Sequence, residues 1–381
     1  MKVDVLVGRY PRMIGLARYT KSILKYLSKI GADYNVVEPS YPYPIRAGHK
    51  LCKPLGYDLK TFFNIFPIAA PLDSNAVTHL TTQMMASLLT FKRRMGPVVV
   101  TVHDIVPYLM RDDPEQDVYL RKFDRYVDNM AMQNLRRADR IIAISSYTKR
   151  MLVEYLGCLP DKIDVILYGL DHDLFRPVPV GDEFRRRHKL DPQYQYLLYV
   201  GSENPRKNLP RLLEAFAKVR INNPNLKLLK IGTPTYMEQH RRLMTQIEKL
   251  NLTDAVVFYD HPSQEDLVAF YSMADLFVFP SLYEGFGMPP LEAMACGTAV
   301  LASNAASLPE VVGDAAVTQD PYDVQAWAGS IEEILEDEVL RKSLQNKGLA
   351  RAANFTWENN ARATLNVYEQ LHAMSKCIEL V

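Results

Sequence analysis

The chain has 381 residues, 48% of them hydrophobic and 23% charged, with a formal net charge of +1. That length implies two domains rather than one, and that composition excludes long disordered stretches. No apolar run reaches the length of a membrane span, and the N-terminal MKVDVLVG lacks the apolar core of a signal peptide, so a cytoplasmic location is expected.

Charge is unevenly spread. Residues 1–176 hold 25 Lys and Arg against 18 Asp and Glu, and the remainder holds 20 against 26. A basic N-terminal half suits an anionic partner, such as a phosphorylated acceptor or a membrane surface. Nucleic acid is disfavoured, because no recognition motif accompanies the charge. The four cysteines (Cys52, Cys158, Cys296, Cys377) are far apart with no CxxC spacing, which argues against a zinc site and a disulfide framework.

In chain order, strands are expected over 2–8, 34–38, 76–80, 97–103, 140–145 and 163–168. Helical patterns separate them. After the first strand, Leu16, Tyr19, Ile23, Leu24 and Leu27 share one helical face. The Pro- and Arg-containing stretch 174–193 reads as a linker. Beyond it, strands are expected over 196–201, 226–232, 255–259, 275–279 and 298–302, with Leu209, Leu212, Leu213 and Phe216 on a helix after the first of these. Strand–helix alternation in both halves predicts an α/β chain of two doubly wound parallel sheets facing across a cleft. Ligands in such sheets bind beyond the carboxyl ends of the strands.

The segment 279–297, FPSLYEGFGMPPLEAMACG, carries the most chemistry. A strand ends at Pro280, a turn with Gly285 and Gly287 follows, and Pro289 and Pro290 fit the first turn of a helix. A glycine turn running into a helix N-terminus offers backbone N–H groups to a diphosphate. Glu284 and Glu292 flank the turn, and carboxylates are apt acceptors for sugar hydroxyls. In 201–216, GSENPRKNLPRLLEAF, Arg206 and Lys207 lie between a strand and a helix, where two cations neutralise a leaving diphosphate.

The E-x7-E arrangement of Glu284 and Glu292 resembles the signature of the large retaining glycosyltransferase family 4, which has the two-Rossmann-domain GT-B fold. The resemblance covers most of the chain. It implies an N-terminal acceptor domain over 1–176, a nucleotide-sugar domain over 177–358 and a C-terminal helix, 359–381, crossing back to the first domain. It implies donor contacts from Gly15, Arg206, Lys207, Gly285, Phe286, Gly287, Met288 and Glu292, with His103 and Glu284 as catalytic residues. His103 enters through VTVHD at 100–104, which is similar to the family's histidine at a strand end. Two departures stand out: only Gly15 remains near the first helix start, and Ser202 follows Gly201 where many members carry Arg.

The strings EGFGMPPLEAMACG and PRKNLPRLLEAF most resemble members that use GDP-mannose. The expected reaction is transfer of a hexosyl group from a nucleotide-diphosphate sugar to a glycan or lipid-linked acceptor hydroxyl, with retention by front-face displacement. A UDP-glucose-type donor and a nucleotide-sugar epimerase on the same fold are the alternatives. A nicotinamide oxidoreductase is disfavoured, since Gly8 and Gly15 do not make a GxGxxG. Asp171-His172-Asp173 has the form of a metal-binding D-x-D but sits beside the linker without a third carboxylate, so no metal and no cofactor are expected. Finally, the segment 44–68 combines Arg46, Lys50, Lys53 and Lys60 with Phe62, Phe63, Ile65 and Phe66, and Phe91–Met95 repeats the theme, which predicts peripheral contact with a membrane face or a lipid-linked acceptor.

Overall fold

The computed structural model describes residues 1–8, 14–40, 58–91, 95–113, 122–234 and 236–379. Arg46, Lys50, Lys53, Cys52 and the basic run 92–94 lie outside the described residues. The chain divides into two units, one of residues 1–169 and 357–381 and one of residues 170–356.

The first unit holds a parallel sheet of β1 (Val3–Leu6), β2 (Tyr34–Val37), β3 (Val77–Leu80), β4 (Val98–Val102), β5 (Arg140–Ala143) and β6 (Ile163–Val165). Their order is β2-β1-β3-β4-β5-β6. Every residue of β1, β3 and β4 is buried, as expected of strands covered by helices on both faces. Helix Ile14–Lys29 turns Tyr19, Ile23 and Leu27 inward at four-residue spacing. These join Trp357, Ala361, Val367, Tyr368 and Leu371 of helix Trp357–Glu379, so the C-terminal helix completes the core of this unit.

The second unit repeats the plan with β7 (Gln195–Val200), β8 (Leu226–Ile231), β9 (Val256–Tyr259), β10 (Leu276–Phe279), β11 (Val300–Ser303) and β12 (Val317–Gln319), again all parallel. The order β12-β11-β10-β7-β8-β9 places the reversal between β7 and β10. Their carboxyl ends therefore bound the crevice where ligands bind in sheets of this kind. Helix Leu209–Asn222 buries Leu209, Leu212, Leu213 and Phe216 as its spacing predicts.

Two sequence expectations differ from the structure. β12 was not anticipated; it is a three-residue edge strand without a fully buried residue, too short to register as an apolar run. The stretch 174–193 is packed into the second unit: helix Asp182–Arg187 buries Phe184 against Phe270, and Leu190 is buried too. Two well-spaced apolar side chains suffice to dock a segment that is otherwise polar. Of the apolar segment near residue 60, Phe66 is buried with Met84 and Val127, and Phe62 stacks on Phe123, so those rings serve a local core. Phe123 and Tyr126 on the neighbouring helix are exposed.

Candidate functional site

Three segments meet at the carboxyl ends of β7 and β10. The loop after β7 makes one 3-10 turn, Pro205–Lys207, whose entry is capped by the Asn204 side chain accepting from the Arg206 N–H. Asn208 follows in the left-handed conformation, φ 59°, and its amide donates to the carbonyls of Pro280 at 3.2 Å and Pro321 at 2.7 Å. One side chain thus ties the loop after β7 to the loops after β10 and β12.

The turn delivers its two cations to Glu284. Lys207 Nζ donates to Glu284 Oε1 at 2.5 Å, and Arg206 Nη1 lies 3.2 Å from Oε2 while donating to the Tyr283 carbonyl at 2.7 Å. Ser281 Oγ donates to Oε1 at 2.6 Å, and the Phe279 ring lies 5.0 Å below the Lys207 ammonium. Burial alone would raise the Glu284 carboxyl; Lys207, then Arg206, with the hydrogen bonds from Lys207 and Ser281, bring it instead to about 2. Glu284 is accordingly an anion that accepts and does not donate.

Gly287 then opens helix Met288–Ala295 at φ 116°, a region closed to most side chains, and a Cβ there would stand 2.6 Å from Leu308 Cδ2. Ser307 Oγ lies within hydrogen-bond distance of the carbonyls of Glu284 and Phe286, fixing the turn from behind. The Phe286 side chain is buried against Phe355 and Met288 is half-buried. Glu292, in the second turn, is buried and accepts from the Tyr271 hydroxyl at 2.9 Å.

His103 and Gly15 belong to the other unit. His103 follows β4; its Nε2 lies 2.8 Å from the Thr81 carbonyl and must donate there, so Nδ1 accepts from the Tyr168 hydroxyl. Burial pushes the imidazole down to about 4, and it is neutral at physiological pH. Tyr19 meets its ring edge-on at 4.8 Å. Gly15 is exposed in the first turn of helix Ile14–Lys29, and a Cβ there would meet nothing within 4 Å.

Arg206, Lys207, Glu284, Gly285, Phe286, Gly287, Met288 and Glu292 therefore lie in the second unit, in the two loops flanking the reversal and the helix that opens from one of them. Sequence reasoning missed Ser281, Asn208, Tyr271 and Ser307, which hold them in place. Ser281 alone carried a signal, three residues before Glu284. His79 was also missed: it is fully buried, with Nε2 2.8 Å from Thr101 Oγ1 and Nδ1 2.6 Å from the Tyr368 hydroxyl. The Asp171 and Asp173 of the D-x-D lie in the second unit. Among the described residues no group of three or more His, Cys, Asp or Glu stands close enough to hold a metal ion.

Residues 13–174 match the family described as Glycosyltransferase Family 4, and residues 180–351 match Glycosyl transferases group 1. The serotype-specific mannosyltransferase WbdA of Escherichia coli is 32% identical over 278 residues, 72% of this chain and 33% of that protein. The chain thus spans about a third of the length of WbdA. The O-antigen chain mannosyltransferase B of Escherichia coli is 31% identical over 284 residues, 73% of this chain and 71% of that protein. Among solved structures, sucrose-phosphate synthase from Thermosynechococcus elongatus superimposes with a TM-score of 0.72 at 22% identity, covering 98% of this chain and 100% of the other. That likeness shows the GT-B fold. The chain belongs to glycosyltransferase family 4.

Proposed function

We propose that the protein transfers a hexosyl group, mannose from GDP-mannose, to a hydroxyl of a glycan or lipid-linked acceptor with retention at the anomeric carbon. The observation that carries the reading is the buried Lys207–Glu284 pair, with Arg206 beside it, at the reversal of the second sheet. Arg206 and Lys207 neutralise the departing diphosphate, and the backbone of Gly285, Phe286, Gly287 and Met288 approaches it at the helix N-terminus. Ionised Glu284 accepts from the sugar hydroxyls, and Glu292, held by Tyr271, accepts from the ribose diol. Two cations and a helix end supply the electrostatics that a divalent ion supplies elsewhere, so no metal is required.

His103 acts as a neutral imidazole: a sugar hydroxyl replaces that of Tyr168 at Nδ1, and Gly15 lets the acceptor or donor approach the first helix closely. No carboxylate in this set is committed to being a covalent nucleophile, which favours front-face displacement. The leaving phosphate oxygen takes the acceptor proton as the new glycosidic bond forms and the sugar–phosphate bond breaks. Catalysis is then positioning and charge stabilisation. The mannosyl assignment is supported by the two mannosyltransferases to which the chain is similar.

A panel of nucleotide sugars, assayed for hydrolysis and transfer in excess EDTA, tests the reading. GDP-mannose is expected to be consumed and the activity to survive chelation. Turnover of UDP-glucose alone would replace the donor, and interconversion of nucleotide sugars without transfer would favour an epimerase. Complete loss in EDTA, restored by magnesium or manganese, would return Asp171 and Asp173 to consideration.

A further inference from the structure

The second sheet carries another charged cluster beside the 201–208 loop. Glu203, two residues beyond Gly201, is buried although it sits in a loop. Its Oε1 accepts from Lys230 Nζ at 2.7 Å, and its Oε2 lies 2.9 Å from His240 Nδ1. Lys230, in β8, has a side chain only 1% exposed and also donates to the Gly232 carbonyl. Gly232 has φ 122°, and a Cβ there would stand 2.5 Å from the Gly201 carbonyl oxygen, so the ends of β7 and β8 meet backbone to backbone. Phe258 of β9 closes the cluster, its ring 5.7 Å from Lys230 Nζ and edge-on to His240.

A buried ion pair adds little net stability, because desolvation offsets its attraction; what it adds is direction. Here the direction is exerted on a loop. Glu203 stands three residues before Arg206 and four before Lys207, and Lys230 anchors it to β8, a strand paired on both sides. We propose that the Glu203–Lys230 pair, braced by His240, is a positioning device that fixes the 201–208 loop so that Arg206 and Lys207 meet the donor diphosphate. This rests on the donor-site reading given above. Apolar side chains of similar size would fill the same space without fixing the loop's register.

The test compares wild type with Glu203→Leu/Lys230→Met, which removes both charges together, with His240→Gln, which leaves the buried pair intact, and with Lys207→Ala. GDP and, separately, UDP are titrated by calorimetry, and thermal midpoints are recorded. The double variant is expected to keep or raise its midpoint while binding the nucleoside diphosphate roughly tenfold more weakly, as loosened positioning predicts. His240→Gln is expected to weaken binding about two- to threefold at an unchanged midpoint. A double variant that binds like wild type, while Lys207→Ala binds weakly, overturns the positioning role and leaves the donor site standing. Should the double variant fail to fold, His240→Gln decides: unchanged affinity overturns the proposal, and weakened affinity supports it. Wild-type binding by Lys207→Ala, or no binding of either nucleotide by wild type, overturns the donor-site reading and this proposal together.

Discussion

Glu284 and the two buried histidines are the groups whose ionisation the fold most clearly controls. Lys207 and Arg206 overcome burial at Glu284 and hold its carboxyl at about 2, against an ordinary value of 4.5. A depressed folded value means that the pair's stabilisation is complete above 4.5 and is lost only as pH falls toward 2. Lys207→Ala and Glu284→Ala are each expected to cut turnover at least about tenfold and nearer a hundredfold, since on the proposed mechanism each removes a charged contact used in the transition state. Circular dichroism and thermal midpoints separate that loss from unfolding, which breaking a buried pair promotes. Near-normal turnover in either variant would remove the residue from the site. The histidines act in the same direction on a different pH range. Burial pushes His103 to about 4 and His79 to about 3, while the unfolded chain titrates near 6.5. Below 6.5 the unfolded chain takes up protons that the folded one refuses, so stability falls as pH drops toward 4. At about 1.4 kcal/mol per pKa unit, His103 alone accounts for roughly 3 kcal/mol of that loss. Urea melts between pH 4 and 7 measure it, and His79→Gln is expected to flatten the profile. A profile unchanged by that substitution would contradict the burial of a neutral imidazole.

At the scale of elements, the loop after β7 shows what a sequence reveals and what it hides. The place of Arg206 and Lys207 between a strand and a helix was legible, because apolar runs mark both elements. Their pairing with Glu284 was not, since 77 residues separate Lys207 from Glu284 and only the adjacency of β7 and β10 joins them. Eleven strands were legible as apolar runs; β12 was not, because a three-residue edge strand leaves no run. Nothing in LKLLKI sets Lys230 apart from Lys227, and only the folded sheet shows Lys230 buried on Glu203. Tyr271 carried no signal at all, for nothing local marks a helix tyrosine that bonds a carboxylate 21 residues on. Asn208 tests the loop as an element. Its φ of 59° suits glycine or asparagine, and its amide supplies two bonds besides. Asn208→Gly removes the bonds alone, whereas Asn208→Ala adds left-handed strain. The alanine variant is expected to be less stable than the glycine variant by about 1 kcal/mol, read as a difference in denaturation midpoint. Equal stability would mean that the loop readily changes conformation.

For the molecule as a whole, the chain returns to the first unit after the second, and Trp357 and Tyr368 of the C-terminal helix complete that unit's core. No helix among the described residues is long and apolar enough to cross a membrane. The basic N-terminal half, with Phe123 exposed against Phe62 and Tyr126 exposed on the same helix as Phe123, motivates a test with vesicles. Sedimentation is expected with anionic but not neutral vesicles, weakened by salt and by charge reversal at Lys50 and Lys53, at about 1 kcal/mol for each basic group near the surface. No association at low salt would favour a free oligosaccharide as acceptor. The claim on which everything else depends is that Arg206 and Lys207 hold a diphosphate. Calorimetric titration of GDP and GMP into wild type and Lys207→Ala tests it most directly. GDP is predicted to bind wild type at least about tenfold more tightly than GMP, as a second charge-assisted phosphate contact implies, and Lys207→Ala is predicted to erase most of that difference. Equal binding of GDP and GMP by wild type, or a difference that survives in Lys207→Ala, would contradict it.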